Sequence, residues 1–456
     1  MTDYRSFIRS KHIRTGWHGF STENTSPALY PWQSAIVEWA CRKGRAALFE
    51  DCGLGKTIQQ LEWARQVYAK TGQNVLIVAP LAVNRQTAKE SRDLLGMECH
   101  QCRTPDDVLP GVNITNYEML RHFSPDEFIG VVLDESSILK SFMGTTKRRL
   151  VEWFSRTPYR LACTATPAPN DHTELGNHSE FLGLYTLQEM QSRWFVNDGF
   201  ESGKYRIKGH AENDFWGWVA SWAVCIQSPA DIGFDGTGYN LPALDTIQHV
   251  VDVDEIGNGM LVNVSGISAT GLHSELRKSA PERAEVAASI VNAANEPAVV
   301  WCHTDYEADE LMARIPDAVE VRGSMSPERK AENMDAFGSG VARVIVSKPR
   351  ICGWGLNWQH CALMVTVGPS YSFESRYQAV RRCWRYGQTR PVKDHIIMTR
   401  RESQIFNAAC AKEDRHNAMA DAIRRVGHDL TKNDHSELLA YNPGEPVKLP
   451  AFLRCA

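Results

Sequence analysis

The chain has 456 residues, more than one compact core accommodates and enough for two or three domains. Hydrophobic residues make up 43% and charged residues 23%, values of an ordinary soluble globular protein, and no apolar run approaches the ~20 residues a membrane helix needs. Net charge is −4, so global charge gives no sign of a polyanionic partner, although a local basic groove would suffice for one.

The basic start MTDYRSFIRSKHIR lacks an apolar core and does not read as a secretory signal, which leaves the cytoplasm as the default location. The twelve cysteines are scattered, several within apolar runs (Cys163, Cys302, Cys361), which fits buried reduced thiols better than a disulfide framework. The close pair Cys99 and Cys102 lacks the second pair that a zinc site wants.

Residues 1–25 form a polar N-terminal extension. From 26 to 184, short apolar runs (AALF, VLIVA, GVVL, YRLACTA) alternate with turn residues and helix-period segments, the pattern of a parallel sheet covered on both faces. Residues 185–240 break that alternation and concentrate Trp194, Phe195, Phe215, Trp216, Trp218 and Trp222, read as a helical insertion whose rings form a small core or stack on bases. A second α/β unit spans 241–428, with AVVWC, ARVIVS, ALMVTV and DHIIM as strands, and 429–456 is a polar tail.

The segment AALFEDCGLGKTIQQ places a glycine-containing loop between a strand and a helix, the context a phosphate-binding loop requires. Gly53, Leu54 and Gly55 would let backbone amides approach phosphate oxygens, and the helix N-terminus adds its own amides and dipole. Lys56 would reach the β- and γ-phosphates and Thr57 would ligate Mg²⁺. The usual first glycine is Glu50, so the full GxxxxGKT pattern is broken. Downstream, GVVLDESS sets Asp134 and Glu135 at the end of an apolar strand, where an acid is costly unless it meets a cation. Asp134 would hold the metal and Glu135 would deprotonate the attacking water; solvated turn acids are the plain alternative.

EDCGLGKT and DESS resemble the nucleotide-binding motifs of superfamily 2 helicases, closest to the Swi/Snf-type and phage-encoded DEAD/DEAH-like group, whose DEMGLGKT also lacks the first glycine. In DESS, Ser137 stands where a His commonly couples to the other lobe. The resemblance extends from about Leu29 to Gln388 through motifs in the family's order. LYPWQ resembles the Q motif, implying that Gln33 reads the adenine edge; helix capping is the other use of such a Gln. VAPLAVNRQ, ITNYE, VVWCHTDYE and RGSMSPERK resemble motifs that touch nucleic acid, pointing to Arg85, Asn116, His303, Ser324 and Arg329. CTATPAPND implies γ-phosphate sensing by Thr164 and Thr166. VIVSKPRICGWGLNW retains the glycine core of a further motif, with Gly355 approaching phosphate or ribose and Trp354 and Trp358 departing from the pattern. SRYQAVRRCWRYGQ places Arg382 and Arg385 on the family's arginine fingers; a solvated basic helix or a base-contacting patch with Trp384 and Tyr386 are the alternatives.

The resemblance implies two tandem RecA-like parallel-sheet domains, α/β in class, with the helical insertion between them. It further implies an ATP- and Mg²⁺-dependent helicase or translocase on nucleic acid, DNA by preference, in a bacterial host's cytoplasm if phage-encoded, with replication, recombination or nuclease partners. A motor serving a separate nuclease in a restriction-type complex is the alternative function, and a clamp without catalysis a third. PDAVEVR, the nearest approach to a nuclease signature, has Arg322 where Lys is needed.

Overall fold

The computed structural model describes residues 18–81, 83–140, 144–197, 205–251, 276–353, 356–370, 372–400 and 402–432. Pro31 at the first helical position opens α1 (Pro31–Lys43), and Gly44 in the left-handed region ends it. The apolar run that follows is β1 (Arg45–Glu50), buried from Ala46 onward. Then come α2 (Lys56–Thr71), β2 (Val75–Ala79), α3 (Asn84–Leu95), β3 (Cys99–Gln101), β4 (Val112–Asn116), β5 (Gly130–Asp134), α4 (Thr145–Trp153), β6 (Tyr159–Thr164) and α5 (Leu175–Leu182). The strands pair in parallel, with β5, β6 and β1 side by side. Asp134 lies opposite Cys163 and Phe49 opposite Thr164, so the loops leaving these three strands emerge together at the carboxyl edge, where open α/β sheets bind ligands.

The aromatic stretch folds into the first lobe. It comprises α6 (Leu187–Trp194), an antiparallel hairpin of β7 (Phe195–Asn197) and β8 (Tyr205–Ile207), α7 (Glu212–Ala220) and β9 (Ala223–Ile226). Strand β9 pairs in parallel with β1 and is the sheet's seventh strand. Trp194, Phe195, Phe215, Trp216, Trp218 and Trp222 are all buried and share one core with the apolar face of the sheet. Trp194 stacks on Trp218 with centroids 4.6 Å apart. The rings therefore fill a core, and no stacking platform for bases is left among these six. A purely helical, separate insertion is not what forms, because Ala223 and Ile226 have an open sheet edge beside β1 on which to bury themselves.

The second lobe contains β10 (Leu244–Val251), α8 (Ala280–Ala294), β11 (Ala298–Trp301), α9 (Asp305–Arg314), β12 (Ala318–Val321), α10 (Pro327–Gly338), β13 (Val344–Ser347), α11 (Pro349–Cys352), β14 (Leu363–Val367), α12 (Phe373–Val380) and β15 (Val392–Thr399). Its six strands run in the order β10-β15-β14-β11-β13-β12, all parallel. The chain is thus an α/β protein of two RecA-like parallel-sheet lobes. The last helix, α13 (Ser403–Lys432), does not stay with the second lobe. Its Met419, Ala422 and Ile423 enter the first lobe's core, and Arg424 pairs with Asp231 at 3.3 Å. The helix straps the lobes together, and it continues past residue 428, where the sequence pattern ends the second unit. No helix among the described residues is long and apolar enough to cross a membrane.

Candidate active site

The loop after β1 and the start of α2 form the floor of a cleft between the lobes. Gly53 and Gly55 have φ of 92° and 78°, a region that a side chain disfavours. A Cβ on Gly55 would lie 2.5 Å from Gln33 Nε2, and one on Gly53 would lie 3.2 Å from Cβ of Tyr386 in the second lobe. Gln33 is buried; its Nε2 donates to the Leu54 carbonyl at 2.9 Å and its Oε1 accepts from Tyr30 N–H at 3.0 Å. Both ends of the carboxamide are thus engaged in capping α1 and bracing the loop. Lys56 donates to the carbonyls of Glu50 (2.6 Å) and Asp51 (3.0 Å), and Thr57 follows it in the first turn of α2.

The acids stand beside this loop. Burial raises the Glu50 carboxyl to about 7 against the pull of Lys56, and Gln59 donates to it at 2.8 Å. Asp134 accepts from Gln60 Nε2 at 2.8 Å, and burial holds its carboxyl above the usual range. Glu135 has φ 59°, one of two non-glycine residues in the left-handed region among those described. Such a conformation costs roughly 1–3 kcal/mol and persists where surroundings over-determine it. Here Thr164 Oγ1 donates to Glu135 Oε1 at 2.5 Å, Ser137 Oγ lies 3.0 Å from the same oxygen, and Gln378 of the second lobe reaches Oε2 at 3.3 Å. Burial, then the neighbouring Glu374, pushes the Glu135 carboxyl up to about 7.

The opposite wall is α12 and the turn after it. The Nη1 atoms of Arg382 and Arg385 each donate to the Leu356 carbonyl at 2.9 Å, and Arg382 also binds the Gln378 backbone and side chain. Burial lowers both guanidinium pKa values, and for Arg385 the nearby Arg382 adds to the effect. Arg385 Nε lies 3.8 Å from the position of a Gly53 Cβ and has no hydrogen-bond partner. Arg385 therefore faces the glycine loop across the cleft, whereas Arg382 is held by Gln378 and Leu356 of its own lobe. Trp384 and Tyr386 are used in the joint itself: Trp384 Nε1 donates to the Pro242 carbonyl, and Tyr386 stacks on Tyr239 at 4.4 Å. A solvated basic helix is thus excluded for this segment, since Arg382 is buried and its neighbours are packed.

Contacts that the sequence did not single out complete the wall. Ser137 Oγ donates to Glu374 of α12 at 2.5 Å, and Lys140 pairs with the same carboxylate. Ser137 therefore does join the two lobes, through a residue that no motif pointed to. Asp51 accepts from Tyr377 OH and forms an ion pair with Arg381 at 2.6 Å. A mixed polar cleft of about 450 Å³ lies alongside, lined by Asp51, Tyr239, Tyr377, Arg381, Trp384 and α13.

The residues expected to touch nucleic acid separate into two groups. Arg85, Ser324 and Arg329 are exposed. Asn116 and His303 are less exposed. Asn116 is buried and its Oδ1 accepts from Met119 N–H at 2.9 Å; His303 Nε2 lies 3.0 Å from the Gly368 carbonyl. Asn116 is thus tied to the turn after its own strand, and His303 to the end of the neighbouring strand β14. Gly355 and Trp354 lie outside the described residues. Trp358 is buried against Phe337 at 5.1 Å and fills space. Asp317 is paired with Arg343 and Glu320 with Arg322, as a helix-to-strand turn would have them.

Residues 282–387, which carry α12 and both arginines, match the family described as the helicase conserved C-terminal domain. Among solved structures, the chain is similar to the Sulfolobus solfataricus SWI2/SNF2 ATPase core in complex with dsDNA, at 15% identity and a TM-score of 0.43, over 91% of this chain and 96% of that one. No curated protein matches the sequence.

Proposed function

We propose that the chain is an ATP-dependent motor on nucleic acid, a helicase or translocase with a preference for DNA, whose hydrolytic site closes between the lobes. One observation carries the reading: a glycine loop with its lysine, two strand-end acids and, from the opposite lobe, the buried Arg382 and the half-buried Arg385 line one cleft. The helicase C-terminal match over the arginine-bearing segment supports it.

The residues fit a magnesium-bound triphosphate. The two left-handed glycines leave the loop amides open, and Arg385 Nε is a buried donor without a partner. Gly53, Leu54, Gly55, Lys56 and Thr57 would hold the phosphates, Gly355 would approach them from the second lobe, and Thr57 and Asp134 would hold Mg²⁺. The metal would neutralise charge on the phosphoryl oxygens. Thr164 holds Oε1 of Glu135 at 2.5 Å, whereas Oε2 has only the longer contact from Gln378 at 3.3 Å and is the oxygen that would take a proton from water. Arg382 and Arg385 sit where charge builds on the γ-phosphoryl group, and their low hydration makes them effective in a closed cleft. Gln33 acts by bracing the loop at Leu54. Arg85, Ser324 and Arg329 would grip the phosphodiester backbone, so sequence preference is slight.

The test is ATP turnover over a panel of single- and double-stranded DNA and RNA, paired with unwinding and triplex displacement. Stimulation by nucleic acid, strongest with DNA, is expected. No turnover on any member of the panel would leave only a binding clamp.

A further inference from the structure

Asp51 and Arg381 form a buried ion pair across the lobes that none of the roles above uses. The Arg381 Nη2 to Asp51 Oδ2 distance is 2.6 Å, and each residue is only 6% exposed. Tyr377 OH donates to the other carboxylate oxygen, which also accepts from Cys52 N–H at 2.6 Å. The Arg381 guanidinium lies 4.3 Å from the Trp384 ring and 5.1 Å from the Tyr377 ring, so it is held in place before it meets Asp51.

A buried pair of this kind adds little net stability compared with apolar residues of similar volume, because desolvating two charges offsets their attraction. What it does supply is register. Asp51 belongs to the loop whose carbonyls hold Lys56, and Arg381 immediately precedes Arg382. A rigid bond between them sets the distance between the lysine side of the cleft and the arginine side.

We propose that Asp51–Arg381, supported by Tyr377, is an interlobe clasp that registers the phosphate loop against the arginine segment, with Arg381 as a positioning residue. The clasp rests on the ATPase reading for its effect on rate, but not for its effect on closure. It touches neither substrate nor metal. Its signature is therefore a fall in kcat without a matching loss of ATP affinity, since misplacement by about 1 Å can cost ~10²-fold in rate.

The experiment compares Arg381→Met, Asp51→Asn, the double variant and Arg381→Lys with the unmodified full chain. Two readouts are used: steady-state kcat and ATP Kd with saturating DNA, and hydrogen exchange of peptides covering residues 51–55 and 377–385 without nucleotide. Each single variant should lose roughly ten- to a hundredfold in kcat with Kd nearly unchanged. The double variant should be no worse than the singles, because both remove one bond. Arg381→Lys should recover part of the loss, and exchange should speed up in both peptides for either single variant. Multiplying losses in the double variant, a parallel loss of Kd and kcat, or unchanged exchange would overturn the clasp. Absence of turnover in the unmodified chain would overturn the ATPase reading instead, and the exchange arm would still decide the clasp.

Discussion

The two lobes share an architecture but carry opposite electrostatic burdens at the cleft. The first lobe holds the buried Glu50 and the half-buried Asp134 and Glu135, and desolvation raises all three carboxyls above their usual range. The second holds the buried Arg382 and the half-buried Arg385, and desolvation lowers both guanidinium groups. By contrast, the second lobe's interior charge, Arg283, is matched within the lobe by Glu307 at 2.9 Å and Glu402 at 3.7 Å. Charges inside a lobe are therefore neutralised locally, whereas those at the cleft stay displaced with the lobes in contact, Glu374 of the second lobe pushing the Glu135 carboxyl further up. Such displaced titration is common at functional sites. The contrast also explains why the cleft needs joints that do no chemistry, namely Ser137 with Glu374, Tyr239 on Tyr386, and the strap α13.

The contrast can be broken at its extremes. Lys56→Ala removes the first lobe's only cation in the glycine loop and should reduce ATP turnover to background in a coupled assay. Arg385→Ala removes the opposing charge and should cost ~10³ or more in kcat with near-normal ATP binding. A fully active Arg385→Ala protein would sink the assignment of that group to the cleft chemistry. Arg283→Met leaves Glu307 and Glu402 buried without their cation and should destabilise the second lobe by about 3–5 kcal/mol, measured by urea unfolding. If the loss were instead small, local neutralisation would not distinguish the interior from the cleft.

Acid offers the mildest probe. Burial depresses His178, in the first lobe, and His416, on the strap, to about 4, against an ordinary value of 6.5. The unfolded chain therefore binds more protons between these values. Stability from these neutral imidazoles is complete above about 6.5 and is lost as pH falls towards about 4. The thermal midpoint should fall across that window, and His416→Phe should flatten part of the slope. A midpoint that stays level from pH 6.5 to 4 would contradict it.

Much of the cleft was legible in the residues. GLGKT after an apolar run, DE at a strand end and a Q-x₃-R-x₂-R spacing each require a local context that a single strand or helix supplies. Asp51, Tyr377 and Glu374 were not legible. Asp51 and Tyr377 sit inside the motif segments EDCGLGKT and SRYQAVRR, but no local spacing names the partners of the three, which lie more than two hundred residues away in sequence. The aromatic stretch misled in a different way. Without strand–helix alternation it read as a separate helical piece, whereas β9 is a strand because β1 presents an open edge beside it. Motif position points to Asn116 and His303 but does not reveal that Asn116 bonds the turn after its own strand or that His303 lies against the end of β14.

By itself the sequence determined the two parallel-sheet units, the glycine loop and the acids and arginines that flank it, because periodicity and short-range spacing are local properties of the chain. Tertiary structure alone decided which arginine clasps Asp51, how Ser137 reaches the other lobe and that the last helix returns to the first core. Those contacts depend on the relative placement of two sheets, which no local pattern encodes.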